Sequence, residues 1–234
     1  MTDETRPLDT AIDRPSPEVI KACVKLSPNE LCDVLELPCV MRYQVHPLWP
    51  DMPRIAGPAF TVRTGKHDNL MFHAAIYLAQ PGDVIVVETG DDEMAIAGGN
   101  VCAIAQRRGV AALVVDGVIR DVVESREHRF PVFARGISPM PARRVGEGGM
   151  NVQIRCGGVI VNPGDVIVAD EEGIVVVPRA RAEDVVARAQ DKVMADSALS
   201  LDDWERRHRA AVEAALRSKG YRLESRTEAA DIRR

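Results

Sequence analysis

Aromatic side chains are scarce in this chain: tryptophan, tyrosine and phenylalanine together make up 4% of its 234 residues. Proteins that bind single-stranded nucleic acid stack the bases on aromatic side chains, and few are present to build such a platform. A strongly basic block is also lacking, and the formal net charge is −5. These deficits argue against a nucleic-acid partner and predict a core of aliphatic side chains.

Cysteine-pair motifs and long apolar runs are lacking too. The five cysteines are widely spaced and form no Cys-x-x-Cys pair, which is typical of reduced thiols buried as small core residues. The N-terminus carries acidic residues and has no apolar segment of the kind found in signal peptides. No apolar run reaches the length of a membrane span. We therefore expect a cytoplasmic protein without a membrane partner.

The order of predicted elements indicates an α/β fold with a mixed sheet. A strand at 57–64, a helix at 69–79 and a buried strand at 84–88 form a strand–helix–strand unit. Four short strands follow between residues 152 and 177, and their tight spacing favours antiparallel hairpins. We predict three segments: a polar arm over 1–15, a single α/β domain over 16–195, and a C-terminal helix with a frayed tail over 196–234.

The most informative stretch starts with a glycine pair at 98–99 and ends with the pair Arg120–Asp121. Helix formers follow the glycines, and the apolar run at 111–115 predicts a strand covered on both faces. Gly117 is predicted to end that strand. The Arg–Asp pair would then lie beyond the carboxyl end of a strand, where open α/β sheets bind their ligands.

The chemistry of this stretch suits a small oxo-acid. Unpaired backbone N–H groups at the start of the helix and the guanidinium of Arg120 can bind a carboxylate. The carboxylate of Asp121 is a hard oxygen ligand for Mg²⁺. Two simpler interpretations remain open: Arg120 and Asp121 form only a surface ion pair, or Asp121 caps the next helix.

Several motifs along the chain resemble one family in both order and spacing. The motifs are Pro81-Gly82-Asp83, Gly98, Arg120-Asp121, the run from Phe130 to Gly136, and the run from Asn162 to Asp170. Together they closely resemble the RraA-like family, over roughly residues 15 to 200. That family contains 4-hydroxy-4-methyl-2-oxoglutarate aldolases, 4-carboxy-4-hydroxy-2-oxoadipate aldolases and regulators of ribonuclease activity. The resemblance implies a layered β/β/α sandwich of the swivelling phosphohistidine-domain type, with flanking N- and C-terminal helices.

The resemblance also implies an activity. It is a metal-dependent, class II-type aldolase that cleaves a 4-hydroxy-2-oxo dicarboxylic acid to pyruvate and a second oxo-acid, with oxaloacetate decarboxylation as a side activity. Arg120 would bind the substrate and stabilise the enolate, and Asp121 would hold Mg²⁺, Mn²⁺ or another divalent metal. The family forms homotrimers or hexamers with sites between subunits. The backbone N–H groups that would hold the substrate carboxylate are those of Gly98, Gly99, Asn100 and Val101.

The chain departs from the family's aldolases at one position. Those aldolases carry an acidic residue, twenty intervening residues and then Arg-Asp, and the acidic position is Gly99 here. One of three acidic residues just before the glycine loop is a possible replacement. These are Asp91, Asp92 and Glu93. The alternatives to the aldolase are a non-catalytic regulator of ribonuclease activity and a lyase of the same fold acting on another oxo-acid. Asp121 favours an enzyme, because a pure binding module has no need of that carboxylate.

Other polar residues are weaker candidates. Lys66 is the one lysine near a strand end, and none of the lysines follows an apolar strand in a way that would make it a Schiff-base nucleophile. His46 stands alone before a proline. The general base is left open between a metal-activated water and a carboxylate of a neighbouring subunit, such as Asp191 or Asp196.

Overall fold

The computed structural model describes Leu8 and residues 11–221. The predicted tail at 222–234 and most of the predicted arm lie outside these residues. The strands are β1 (His46–Pro47), β2 (Ile55–Thr64), β3 (Val84–Glu88), β4 (Ala112–Ile119), β5 (Val132–Ile137), β6 (Gly148–Met150), β7 (Ile154–Cys156), β8 (Val159–Val161), β9 (Val166–Asp170) and β10 (Gly173–Val177). The helices are α1 (Pro17–Lys25), α2 (Pro28–Cys32), α3 (Leu70–Leu78), α4 (Gly99–Arg107), α5 (Val122–Glu127), α6 (Ala182–Ser197) and α7 (Leu201–Ser218).

Eight of the strands form one mixed sheet. Its order is β1-β5-β4-β3-β2-β9-β10, and β6 pairs additionally with β2. Strands β2 to β5 run parallel and are connected through α3, α4 and α5, whereas β9–β10 and β7–β8 are antiparallel hairpins. The predicted mixed α/β fold with flanking helices is confirmed, and so are the late hairpins.

The centre of the sheet is buried and largely aliphatic. The first four residues of β3 are fully buried, as expected for a parallel strand covered on both faces. The few aromatic side chains include four phenylalanines, and all of them are fully buried: Phe60, Phe72, Phe130 and Phe133. The core therefore uses its scarce aromatic residues where they bury the most apolar surface.

Gly117 does not end its strand, so that prediction is wrong. Strand β4 continues to Ile119, and its pairing with β5 shifts register between residues 115 and 118. A Cβ at Gly117 would lie only 2.5 Å from Thr89 Oγ1, so glycine lets the loop after β3 approach the strand. Arg120 therefore follows the last residue of β4 directly, at the carboxyl end of the strand.

The glycine run near residue 148 is ordered by its neighbours. Its glycines favour a flexible loop, yet Gly148–Met150 forms β6 against the end of β2. The preceding turn is held by the buried carboxylate of Asp68, which accepts hydrogen bonds from the backbone N–H groups of residues 145–147. Asp68 also accepts the N–H of Leu70, the first residue of α3, at 2.8 Å, although the N-cap position itself is occupied by Asn69.

The chain folds as two compact units, with the boundary between Gln190 and Asp191. The second unit contains the end of α6 and all of α7. Helix α7 begins after Ser200, whose Oγ accepts the N–H of Asp203 at 3.1 Å. Within residues 11–221, no helix is sufficiently long and apolar to cross a membrane.

Candidate functional site

A small pocket lies where β4 ends and α4 begins, with a volume of about 90 Å³. Its wall includes four of the five residues predicted to bind the substrate and the predicted metal ligand: Gly98, Asn100, Val101, Arg120 and Asp121. The wall also includes Asn69, the residue before α3, and His73 in the first turns of that helix. The structure thus brings the glycine loop and the Arg–Asp pair together in a single concave site.

Asp121 is directed toward α4 and not toward its own helix. Its backbone is left-handed (φ 56°, ψ 40°) at the residue before α5, and its side chain makes no capping hydrogen bond there. Instead, Oδ2 accepts the N–H of Gly99 at 3.1 Å and lies 3.4 Å from Nε of Arg120. The hypothesis that Asp121 caps α5 is therefore wrong. Both members of the Arg–Asp pair are about two-fifths exposed (42% and 40%), so their ion pair alone adds little stability.

Gly98 makes room for this arrangement. A Cβ at Gly98 would lie 2.5 Å from Oδ2 of Asp121 and 3.1 Å from Nε of Arg120. Gly98 is also the N-cap residue of α4 and offers no side chain to cap it, and the first turn of α4 has no acidic residue. The N–H groups of Asn100 and Val101 belong to that first turn, where the helix itself supplies no acceptor.

Gly99 is in contact with two carboxylates from the segment around α5, those of Asp121 and Glu124. Its N–H is already bound to Asp121, so this predicted substrate donor is engaged within the protein. A Cβ at Gly99 would overlap Oε2 of Glu124, so a carboxylate fills the volume that any side chain at Gly99 would need.

Burial raises the pKa of the nearby Cys102 thiol to about 11. The carboxylates of Asp121 and Glu124 add to that increase, while a hydrogen bond with Ser125 opposes it.

Asn69 and His73 were missed by the sequence-based prediction. Asn69 is 7% exposed, and its Oδ1 is buried without a hydrogen-bond partner among the described residues. Burial lowers the pKa of His73, the hydrogen bond with the Ile96 carbonyl opposes that effect, and the charge of Arg144 lowers the pKa further. Their spacing of four residues at a helix start was the signal that would have put both on one face.

The acidic residues before the glycine loop do not enter this pocket. Asp91 accepts backbone N–H groups from residues 67, 93 and 94, and Glu93 lies 2.9 Å from Nε2 of His67. His67, Asp91 and Glu93 each offer one ligand atom, and these atoms lie within 4.8 Å of one another. This second group is chemically able to hold a divalent cation. It joins two segments more than twenty residues apart, so no local motif indicated it.

The weaker candidates lie elsewhere. Lys66 is 59% exposed and lies 3.8 Å from Glu93, so its amine lacks the burial that would favour Schiff-base chemistry. His46 is on β1 and lines a different cavity. Asp191 and Asp196 belong to the second unit, where Asp196 accepts a hydrogen bond from Lys192 at 2.9 Å.

Comparison with known proteins places this geometry in a family. Residues 29–176 match the RraA-like family, described as Aldolase/RraA. The chain belongs to the RraA-like family. The match covers β1 to β9 and most of β10, together with the whole pocket, and it ends before α6.

Individual members of the family carry two kinds of name. A protein of Halalkalibacterium halodurans, provisionally named a 4-hydroxy-4-methyl-2-oxoglutarate aldolase, is 44% identical over 146 residues, which is 62% of this chain and 70% of that protein. A Burkholderia multivorans protein with the same provisional name is 36% identical over 124 residues (53% and 75%). The crystal structure of Streptomyces coelicolor RraAS2, described as an unusual member of the RNase ES inhibitor RraA protein family, has 30% identity and a TM-score of 0.67. It covers 80% of this chain and 98% of its own.

Proposed function

We propose that this protein is a divalent-metal-dependent aldolase. Its substrate would be a 4-hydroxy-2-oxo dicarboxylic acid such as 4-hydroxy-4-methyl-2-oxoglutarate, cleaved to pyruvate and a second oxo-acid, and it would also decarboxylate oxaloacetate. The names of the two bacterial relatives support the reaction class. The observation that carries the proposal is the carboxylate of Asp121, which leaves its own helix uncapped and joins Arg120 in the pocket.

The residues of the pocket fit a divalent cation. Both polar contacts of the Asp121 carboxylate fall on Oδ2, and no described residue hydrogen-bonds its Oδ1. Gly98 leaves open the space beside it that a Cβ would fill. Carboxylate oxygen is a preferred ligand of Mg²⁺ and Mn²⁺, and Mg²⁺ commonly takes only one or two carboxylates from a protein. Asp121 is therefore the residue that would hold the metal.

The other polar groups of the pocket would bind the substrate and stabilise the charge that develops during the reaction. Retro-aldol cleavage must hold the oxo-acid carboxylate and stabilise the enolate that forms. A bound divalent cation supplies a Lewis acid for the enolate charge. The guanidinium of Arg120 provides fixed positive charge beside it, which is most effective in a partly dehydrated site. The N–H groups of Asn100 and Val101 are the backbone donors available to the substrate carboxylate.

Oxaloacetate decarboxylation needs the same groups, because losing CO₂ from oxaloacetate also produces the pyruvate enolate. The two reactions differ in that only the aldol substrate carries a C4 hydroxyl that must lose its proton. Activity on both substrates would therefore support a shared enolate site, and activity on oxaloacetate alone would indicate a different aldol substrate.

The test is a coupled assay of pyruvate release with each substrate, in Mg²⁺ or in EDTA. We expect metal-dependent release by the wild type. We expect Asp121→Asn to lower it by roughly 100-fold or more, since Asn tolerates the left-handed backbone but is a poor metal ligand. Arg120→Ala should lower kcat by about 10²-fold, the usual cost of one oxyanion donor.

The variant His67→Ala distinguishes between the two sites that could hold the metal, Asp121 and the group of His67, Asp91 and Glu93. If Asp121 holds it, this variant retains metal-dependent release. If release is lost in His67→Ala and kept in Asp121→Asn, the metal belongs to the group of His67, Asp91 and Glu93. Wild-type release that is unaffected by EDTA, or no release from either substrate, would contradict the proposed function.

A further inference from the structure

Two loops meet at the carboxyl ends of β2 and β3 and bring an imidazole against two carboxylates. The loop after β2 contains His67, and the loop after β3 contains Asp91 and Glu93. A Cβ at Gly90 would lie only 2.4 Å from the backbone nitrogen of Lys66, so glycine lets the two loops approach this closely. The group of three side chains is therefore built by a contact between loops and not by a local motif.

The carboxylate of Asp91 is held in place by the backbone. Its side chain is 9% exposed. Its Oδ2 accepts the N–H of His67 at 2.6 Å, and its Oδ1 accepts those of Glu93 and Met94 at 2.8 and 3.1 Å. Burial alone would raise the pKa of Asp91, but these hydrogen bonds and the nearby imidazole outweigh it and lower that pKa. Asp91 is thus a preorganised carboxylate that is charged at neutral pH.

Both carboxylates face the same nitrogen of His67. The Nε2 atom lies 2.9 Å from Oε2 of Glu93 and 4.0 Å from Oδ2 of Asp91. A protonated Nε2 has a single hydrogen to donate, and at these distances it serves Glu93 and not Asp91. Two negative charges therefore converge on one nitrogen that cannot hydrogen-bond to both.

We infer that His67, Asp91 and Glu93 form a second divalent-cation site, separate from Asp121, that takes a transition metal such as Zn²⁺ or Co²⁺. An imidazole nitrogen with carboxylate oxygens is a ligand set of this class, whereas Mg²⁺ prefers oxygen ligands alone. Three protein ligands with a water as the fourth is a known coordination of Zn²⁺.

The distances suit such an ion. With metal–ligand bonds of about 2.0 Å, two ligand atoms on a tetrahedral metal lie about 3.3 Å apart. Nε2 of His67 and Oε2 of Glu93, at 2.9 Å, are already close to that separation. The 4.0 Å between Nε2 and Oδ2 of Asp91 has to shorten by less than about 1 Å. The exposed side chain of Glu93 can take up the adjustment.

The place of this group in the fold gives the cation a structural role. His67 shortly precedes Asn69, and Glu93 shortly precedes Gly98, so each loop leads into a wall of the pocket. A cation that joins the loops binds the folded protein and not the unfolded chain, in which the three ligands are apart, so it stabilises the folded state. The inference does not depend on the proposed function.

A simpler interpretation is a surface ion-pair network without a metal. Lys66 lies 3.8 Å from Oε1 of Glu93, and both side chains are about three-fifths exposed (59% and 62%), so this pair is weak and leaves Oε2 free for His67. The two interpretations differ in the effect of Lys66→Gln. If Glu93 is a metal ligand, loss of the competing ammonium tightens metal binding by about 2- to 5-fold, the value of an exposed charge pair.

The experiment is a titration of the full chain with Co²⁺, followed by the visible absorption of the bound ion. Asp121→Asn is the background, so that metal in the pocket does not contribute. We expect this background to bind one Co²⁺. Adding His67→Asn should lower the affinity roughly 100-fold, at least the cost of altering a residue that orients a ligand. Asparagine tolerates the left-handed backbone of His67 (φ 59°), so the variant keeps the loop conformation.

A second variant and a matched control accompany it. Glu93→Gln changes an exposed side chain without threatening the fold, and it should lower Co²⁺ affinity roughly tenfold or more. His46→Asn makes the same substitution as His67→Asn at an exposed histidine that lines a different cavity, and its affinity should equal that of the background. Zn²⁺ should raise the melting temperature of the background and of His46→Asn, but not that of His67→Asn.

The outcomes separate this inference from the proposed function. If the background binds no Co²⁺, if His67→Asn binds it as His46→Asn does, or if Glu93→Gln leaves the affinity unchanged, the inference is overturned. If these variants lose Co²⁺ as expected but the wild type releases no pyruvate, the inference stands and the aldolase proposal fails. Unchanged Mg²⁺-dependent release by His67→Asn, in a chain that retains Asp121, would support two separate sites.

Discussion

Asn69 is the residue before α3, where an asparagine side chain usually caps a helix, yet it makes no capping hydrogen bond. Its neighbour Asp68 accepts the N–H of Leu70 instead. The Oδ1 of Asn69 is therefore buried without a hydrogen-bond partner among the described residues, in the pocket that Arg120 and Asp121 also line. An acceptor kept unpaired at this cost suits a ligand that brings its own donor, and the C4 hydroxyl of an aldol substrate is such a donor.

Asn69→Ala should therefore change the choice between substrates. We expect kcat/KM for the hydroxylated substrate to fall about tenfold, the value of one hydrogen bond of about 1.4 kcal/mol. Oxaloacetate lacks that hydroxyl, so its decarboxylation should stay within about twofold of the wild type. The measurement compares the two pyruvate-release rates in one preparation. Equal losses on both substrates would show that Asn69 supports the pocket and does not select the hydroxyl.

At the level of single residues, sequence analysis identified only those pocket residues that both match a family motif and have a side chain suited to the proposed chemistry. Arg120 and Asp121 were identified because they follow a buried strand and match a family pattern. The contact between Glu124 and Gly99 was missed, because the two residues are 25 positions apart and glycine has no side chain that would suggest a partner. Asn69 was missed because a helix start with Asn looks the same whether or not its oxygen caps the helix.

Among the secondary-structure elements, the connection between α3 and the turn before β6 depends on one carboxylate. Burial alone would raise the pKa of Asp68, but hydrogen bonds from four backbone N–H groups outweigh it and lower that pKa. These donors belong to Leu70, Val145, Gly146 and Glu147. A single side chain thus fixes the turn that leads into β6 against the start of α3.

Asp68→Ala should destabilise the protein by roughly 3 kcal/mol, because buried N–H groups lose a charged acceptor. The unfolded carboxyl takes up a proton near its ordinary pKa of 3.8, and the folded one takes it up at lower pH. Below about pH 4 the unfolded state therefore binds more protons, so the wild type loses this contribution as the pH falls. Urea unfolding at pH 7 and pH 3.5 measures both effects. Asp92→Ala, at an exposed position in a loop, is the control and should change neither.

The elements themselves were predicted unevenly, and the reasons are physical. The hairpins β7–β8 and β9–β10 were predictable because short apolar runs joined by tight turns have few other options. Strand β6 was not predictable, since two glycines and a methionine have little strand preference and pair only because β2 offers an open edge. The continuation of β4 through Gly117 was missed because its cause is the approach of Thr89, a contact across the sheet.

For the whole molecule, the buried thiols connect stability to alkaline pH. Burial raises the pKa of both Cys23 and Cys102 from 9.0 to about 11, and burial raises that of Cys156 well above 9.0. Between pH 9 and 11 the unfolded thiols lose their protons while the folded ones keep them. The folded state therefore binds more protons in this range, and the free energy of unfolding must fall as the pH rises.

We expect each such thiol to cost roughly 1 kcal/mol of stability by pH 10. The measurement is denaturant unfolding at pH 7.5 and pH 10 under reducing conditions. Comparison of the wild type with Cys102→Ala separates the thiol from lysines and tyrosines that titrate in the same range, because those groups are common to both proteins. The variant should lose less stability between the two pH values. An equal loss in both proteins would show that Cys102 ionises normally when folded.

The order of the sheet was beyond sequence reasoning, although its mixed character was not. Strand β2 pairs with β9 through residues 55–58, with β3 through 59–63 and with β6 through 62–64. Local patterns assign a strand to these residues but do not say which partners it will have, because partners are chosen by contacts distant along the chain. The resemblance to a known family supplied the fold that those patterns could not.

The overlap between Gly99 and Glu124 has a consequence for the history of the family. One volume cannot hold two side chains, so the two positions are constrained as a pair and not separately. Any relative with a side chain at position 99 must therefore have a smaller residue at position 124 or a side chain there that turns away.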